Sequence, residues 1–402
     1  MTRRRTKLAP GADGEIRRLQ SIGCDPPETR PLSPMLVRFL SIVRDGLKRA
    51  GLLPWIKRLL YTPTRGDAGG RLARGWRYRL KLLIEQANFA SAREVHDLPP
   101  IHHYWSNHHL IPFFETLGFR TLEQFWLNEI GATLGPPALA GTMRILSLGS
   151  GNCDFEVTVA RRLKAMGYAA FRIDCMDINS AMLERGVKSA QSAGVAQHIA
   201  ALHADFNSWR GAREEYRVVL ANQALHHVVN LEDLFDAVHE AIGRQGRFII
   251  SDMVGRNGHM RWPEALQIVD RLWSELPPSY RFDRTLGMVC ERYANVDCSR
   301  AGFEGIRAQD ILPLLIERFG FSLFVPFANV IDVFVGRAIG PNFDPEREWD
   351  CAFIDRVHAA DVEALRTGCI KPTHLMASMT TDRAISTRCP EGLTPSASVR
   401  PP

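Results

Sequence analysis

The sequence predicts an α/β protein: a doubly wound, mostly parallel sheet with helices on both faces, fronted by an N-terminal helical cap and interrupted by inserted helices. Three observations predict it. Residues 144–148 (RILSL) read as a short buried strand that opens onto Gly149-Ser150-Gly151-Asn152-Cys153, after which Phe155, Val159 and Leu163 recur at helical spacing. From 143 to 254 strand-like and helix-like runs alternate, the pattern of parallel strands joined by crossovers. The polar residues with chemical potential fall at the carboxyl ends of those strands, where sheets of this kind bind ligands.

Taken in order, residues 1–33 are polar and punctuated by Pro and Gly, so disorder is expected there. Residues 34–137 read as a basic helical region and cap, with short amphipathic helices around a Gly-rich break at 65–70. Residues 1–82 hold roughly nineteen Lys and Arg against six Asp and Glu, about +13, which leaves the remainder near −7. Such an arm either docks on an anionic surface or packs its basic stems over the main domain. The overall excess of +6 is therefore not a nucleic-acid footprint.

The stretch PPIHHYWSNHH reads as a helical flap, with Tyr104 and Trp105 lying over either the core or a bound ligand. Its histidines, His102, His103, His108 and His109, lack the spacing that sets two rings and a carboxylate on one helical face, and no metal site is expected. Strands follow at 171–178, 198–206, 216–223 and 247–254, with helices between them. The domain is expected to span 138–379, with helical insertions near 255–300 and 340–370 and a last strand near 371–379. Residues 380–402, rich in Ser, Thr and Pro, read as a loose tail. The eight cysteines show no Cys-x-x-Cys pair, which fits a reducing cytoplasm, and neither a leader nor a membrane span is read from the sequence.

The strand-end residues resemble those of a class I S-adenosylmethionine-dependent methyltransferase of bacterial type with unassigned substrate, a Rossmann-like fold. That family's first motif, acid-x-Gly-x-Gly-x-Gly, stands here as Ser147-Leu148-Gly149-Ser150-Gly151-Asn152-Cys153. The resemblance implies that Gly149 and Gly151 pass under the cofactor, that Asp177, with Ile178 beside it, holds the ribose, and that Asp205 and Phe206 hold the adenine. Asn222 would close the cofactor site at the fourth strand. Two positions depart from the pattern. Ser147 replaces the leading acid and Cys153 the last glycine, and Asp154 either supplies the missing charge or caps the helix.

A dinucleotide reading places a third glycine at Asp154. A carboxylate there repels a pyrophosphate at the helix end, whereas a sulfonium and an ammonium tolerate it. An NAD(P)-binding oxidoreductase is thus the weaker reading, as is a scaffold that binds the methyl donor without transfer. On the acceptor side, His226 and His227 are the candidate bases, His226 first. Asp252, His259 and Trp262, with Tyr104 and Trp105, are the candidate substrate pocket. The expected acceptor is a small or medium molecule, glycan- or lipid-linked, methylated on oxygen. No nucleic acid is expected, since no Asn-Pro-Pro-Tyr-type tetrad follows the fourth strand.

Overall fold

A computed structural model of the chain describes Tyr78 and residues 98–137, 143–300 and 302–401. The expected disordered segment at 1–33 and, Tyr78 apart, the basic stretch up to 97 lie outside the described residues.

A seven-stranded sheet runs in the order β3-β2-β1-β4-β5-β9-β8. Strands β1 (Met143–Leu148), β2 (Phe171–Asp177), β3 (Ile199–His203), β4 (Val218–Asn222) and β5 (Arg247–Met253) pair in parallel. Strand β9 (His374–Thr380) enters antiparallel between β5 and β8 (Gly320–Phe327). The mostly parallel, doubly wound sheet is therefore as the sequence predicts, with the reversal at its far end.

The strands are apolar on both faces because both faces are covered. Ile145, Ile173, Val218, Leu220 and Ile249 meet the helices α3 (Leu122–Leu134), α4 (Asp154–Ala165) and α5 (Ser180–Ser192). Their neighbours Leu146, Leu148, Val219, Ala221 and Ile250 face the other way, toward α6 (Leu231–Ile242) and α8 (Ala308–Arg318). Successive side chains alternate across the sheet, so one run of apolar residues feeds two cores. Two of these helices, α3 and α5, begin on side-chain caps: Thr121 Oγ1 accepts from the Gln124 amide and Asn179 Oδ1 from that of Met182.

A third apolar body unites what the sequence divides into cap and insertions. Helix α1 (Pro100–Trp105) passes through a π turn at Ser106–Leu110 into α2 (Ile111–Glu115). Ile101 and Trp105 pack with α7 (Pro263–Glu275), α9 (Val330–Val335) and α10 (Glu348–Arg366), through Val269, Trp273, Phe334, Phe353 and Ile354. A two-stranded hairpin, β6 (Phe282–Asp283) and β7 (Met288–Val289), adds to this cover. The expectation of a loose tail after 380 is corrected. The Phe324 amide donates to Arg388 O at 2.9 Å and the Arg388 amide to Ser322 O at 3.1 Å, and Cys389 and Val399 pack on the second core. Polar composition hid these backbone bonds, which need no apolar side chain. No described helix is long and apolar enough to cross a membrane.

Candidate active site

Two cavities open at the carboxyl ends of the parallel strands. The first, of about 180 Å³, is walled by Gly149 and Gly151 after β1, Asp177 and Ile178 after β2, Asp205 and Phe206 after β3, and Gln223, Ala224 and His227 after β4. Gly149 has no room for a side chain, and Gly151 has little. Gly149 sits at φ +68° and a Cβ there would lie 2.9 Å from Ala224 Cβ, while Gly151 sits at φ +52° with Met182 Cε 3.3 Å from such an atom.

Asp177 ties the loop to the sheet. Its Oδ2 accepts from the Gly151 amide at 2.9 Å and its Oδ1 from the Asn179 amide at 2.8 Å. Burial pushes its pKa above the ordinary carboxylate value, opposed by those two amide bonds. Asp205 accepts from Tyr78 Oη at 2.7 Å and from the amide of Asn207 at 2.9 Å. Asn207 Nδ2 donates to Tyr78 Oη at 2.8 Å. Burial and the Asp205 charge drive the Tyr78 pKa far up, so the phenol stays a donor.

Six of the predicted cofactor residues thus share one cleft: Gly149, Gly151, Asp177, Ile178, Asp205 and Phe206. Three do not. Ser147 Oγ is buried and donates to Glu156 Oε1 at 2.5 Å. Asp154 is exposed at the start of α4, and the helix is capped by Cys153 in a left-handed conformation (φ +58°) with no side-chain cap bond. Asn222 ends the β4 ladder, and it is the next residue, Gln223 at φ +53°, that lines the cavity. Ser147 instead contacts a carboxyl from further along the chain, that of Glu156, fully buried on the inward face of α4. Burial raises its pKa to about 7. Helical phase brings it back under the loop, a signal available in the sequence but masked by the nearer Asp154.

The predicted bases divide. His226 is buried, with Nδ1 2.6 Å from Asp252 Oδ1 and Nε2 3.5 Å from Glu304 Oε1. Burial alone lowers its pKa, but Asp252 outweighs this and the net shift is upward. Asp252 also accepts from the amides of Ala224, Leu225 and Met253, so it orients the β4 tip. His227 lines the first cavity, and burial with the neighbouring His226 lowers its pKa to about 4. His259 Nε2 lies 2.8 Å from Glu304 Oε1. Burial opposes ionisation of Glu304, yet the bond with His259 and the nearby histidines bring its pKa down to about 2.

The second cavity, of about 370 Å³, meets the first at Gln223. Trp105, Phe114 and Phe327 supply apolar wall, and His102, Asp332 and His374 the polar part, with Asp252 at the shared end. Of the predicted substrate residues, Trp105 and Asp252 line it. Tyr104 instead donates to Asp355 at 3.2 Å, and Trp262 stands at the N-terminus of α7 with the Arg400 guanidinium over its ring. The flap histidines are engaged elsewhere: His109 Nε2 meets Asp355 Oδ1 at 2.7 Å and His108 Nδ1 meets Tyr104 O at 2.9 Å.

A glycine bend after β1, carboxylates ending β2 and β3, and an antiparallel strand inserted beside β5 define a class I S-adenosylmethionine-dependent methyltransferase domain. Residues 145–246 match the family model described as a methyltransferase domain, and the chain is an S-adenosylmethionine-dependent methyltransferase. A curated relative, ubiquinone/menaquinone biosynthesis C-methyltransferase UbiE of Bartonella bacilliformis, is 26% identical over 205 residues, which are 50% of this chain and 72% of that protein. Among solved structures, geranyl diphosphate C-methyltransferase from Streptomyces coelicolor A3(2) is similar at 12% identity and a TM-score of 0.42, covering 75% of this chain and 98% of that one. An O-methyltransferase segment, StiE residues 961–1257, is similar at 14% identity and a TM-score of 0.38, covering 72% and 84%.

The cleft fits S-adenosylmethionine. Gly149 and Gly151 leave the loop free of Cβ atoms, the Asp177 carboxylate keeps lone pairs for ribose hydroxyls, and Phe206 offers a ring beside Asp205. When bound there, the cofactor supplies an electrophilic methyl carbon on a sulfonium. The protein contributes position: the Asp177–Gly151 bond fixes the loop and Gln223 forms the boundary between the two cavities.

Proposed function

We propose that the chain methylates a hydroxyl of an apolar, lipid-type small molecule held in the second cavity. The observation that carries this reading is the contact of the two cavities at Gln223, with the second walled by Trp105, Phe114 and Phe327. An apolar body suits those walls better than a glycan does. His374 is the proton acceptor. Burial lowers its pKa, so the ring is neutral near pH 7, and Asp332 Oδ1 lies 3.9 Å from its Nε2 to steady the imidazolium that forms. Asp332 is ionised: burial opposes this, but His374 and Arg261, whose Nη2 donates to it at 2.8 Å, outweigh burial. The basic first 82 residues suit delivery at an anionic membrane surface, where such an acceptor partitions. Methylation of a quinone-type ring carbon is a second reading, favoured by the similarity to the UbiE C-methyltransferase.

The test offers the purified chain methyl-labelled S-adenosylmethionine and fractionated host extract, with products read by mass spectrometry. Label in the organic-soluble fraction, on oxygen, is expected. His374→Gln should lower kcat at least tenfold with little change in KM. Label on carbon selects the second reading. Label confined to polar glycans, protein or nucleic acid sinks both.

A further inference from the structure

Beside the cofactor cavity, three segments far apart in sequence bring nitrogen and oxygen donors together. His226, His259 and Glu304 each offer one donor atom, and these atoms all lie within 4.8 Å of one another. The two histidine nitrogens stand 3.5 and 2.8 Å from Glu304 Oε1. A tetrahedral ion with ligands at about 2.0–2.1 Å spaces its donors by about 3.3 Å, inside this range. A fourth donor is at hand: His227 Nδ1 is buried, has no hydrogen-bond partner, and lies 3.8 Å from Glu304 Oε2.

The surroundings are those of a metal-binding histidine. The Nδ1 of His226 faces Asp252 Oδ1 at 2.6 Å, and Asp252 is itself fixed by the amides of Ala224, Leu225 and Met253. A carboxylate on one ring nitrogen sets the tautomer that leaves Nε2 with a free lone pair toward the cluster. His259 is held with φ +56° by the adjoining bond from the Gly258 amide to Gly305 O at 2.9 Å. Asp252 and Glu304 together bring two negative charges, which a divalent cation balances.

We infer that His226, His259 and Glu304, with His227 as fourth donor, form a binding site for a divalent transition-metal ion, zinc foremost. Three imidazoles and one carboxylate favour such an ion over magnesium or calcium, which take oxygen ligands. The ion would do structural work. Glu304 directly follows Phe303, which lines the cofactor cavity with His227. Tying Glu304 to the β4 tip therefore fixes one wall of that cavity.

The test uses the full chain, stripped with chelator, and zinc chloride alone, so its outcome does not depend on finding the acceptor. Calorimetric titration should give one zinc per chain, and metal analysis of freshly purified protein should find it. Zinc should raise the melting temperature by several degrees. His259→Ala and Glu304→Gln, both folded by circular dichroism, should weaken zinc binding at least a hundredfold. His103→Ala, an exposed histidine elsewhere, should leave it unchanged. If the variants still melt cooperatively yet bind zinc as the parent does, or if the parent binds none, the inference is overturned. Preference for magnesium overturns the nitrogen-donor assignment.

Discussion

Replacing Glu156 with Gln should make the protein more stable above neutral pH, although it removes a charged hydrogen-bond acceptor. Glu156 is buried at 2% exposure, Oε1 accepts from Ser147 and Oε2 has no partner. Burial lifts its pKa to about 7, well above the ordinary glutamate value. A raised carboxyl binds its proton more tightly in the folded state, so folding is favoured below the ordinary value and that stability is lost as pH climbs toward 7. The shift corresponds to about 3 kcal/mol. Glutamine keeps the shape and a partner for Ser147 without ever ionising. The assay is urea unfolding of both proteins from pH 5 to pH 8.5. Their stability difference should shift by about 3 kcal/mol across that range, in favour of the variant as pH rises. Asp361, also buried with its pKa raised to about 7, is present in both and cancels. Parallel profiles would refute the reasoning.

Other outcomes follow from the same geometry. Gly149→Ala puts a Cβ 2.9 Å from Ala224 Cβ at φ +68° and should cost about 1–3 kcal/mol of stability, with cofactor binding lost by calorimetry. Asp177→Asn leaves one acceptor oxygen for two amides; affinity for S-adenosylhomocysteine should fall roughly tenfold to a hundredfold, with circular dichroism unchanged. Tyr78→Phe removes the hydroxyl shared by Asp205 and Asn207 and should lower stability by about 1–2 kcal/mol, read by thermal melting.

The sheet and most of the lining of the candidate cofactor cleft are legible because each rests on local pattern. Apolar runs that alternate in phase declare strands, and Gly149, Gly151, Asp177 and Asp205 follow strand ends directly. What escaped was set by distance in sequence. Tyr78 reaches Asp205 across 127 residues, and Glu304 reaches the β4 tip from a loop with no periodicity. That Gln223, the residue after Asn222, lines the cavity depends on a backbone turn, φ +53°, that residue type does not announce. Ser147 and Asp154 lie near each other along the chain, whereas Glu156 meets Ser147 only through the turn of a helix. His374 stands at the first residue of β9, whose antiparallel entry beside β5 no local signal gives.

Residues 382–399 shield the β8 edge. Arg388 completes hydrogen bonds along that strand, and Asp382 O crowds Gly320 so closely that any Cβ there would collide at 1.9 Å. A version ending at 380 would therefore leave a long apolar ribbon with bare amides and carbonyls, ready to recruit the same ribbon from another molecule. Loss of that cover would invite self-association through the β8 edge.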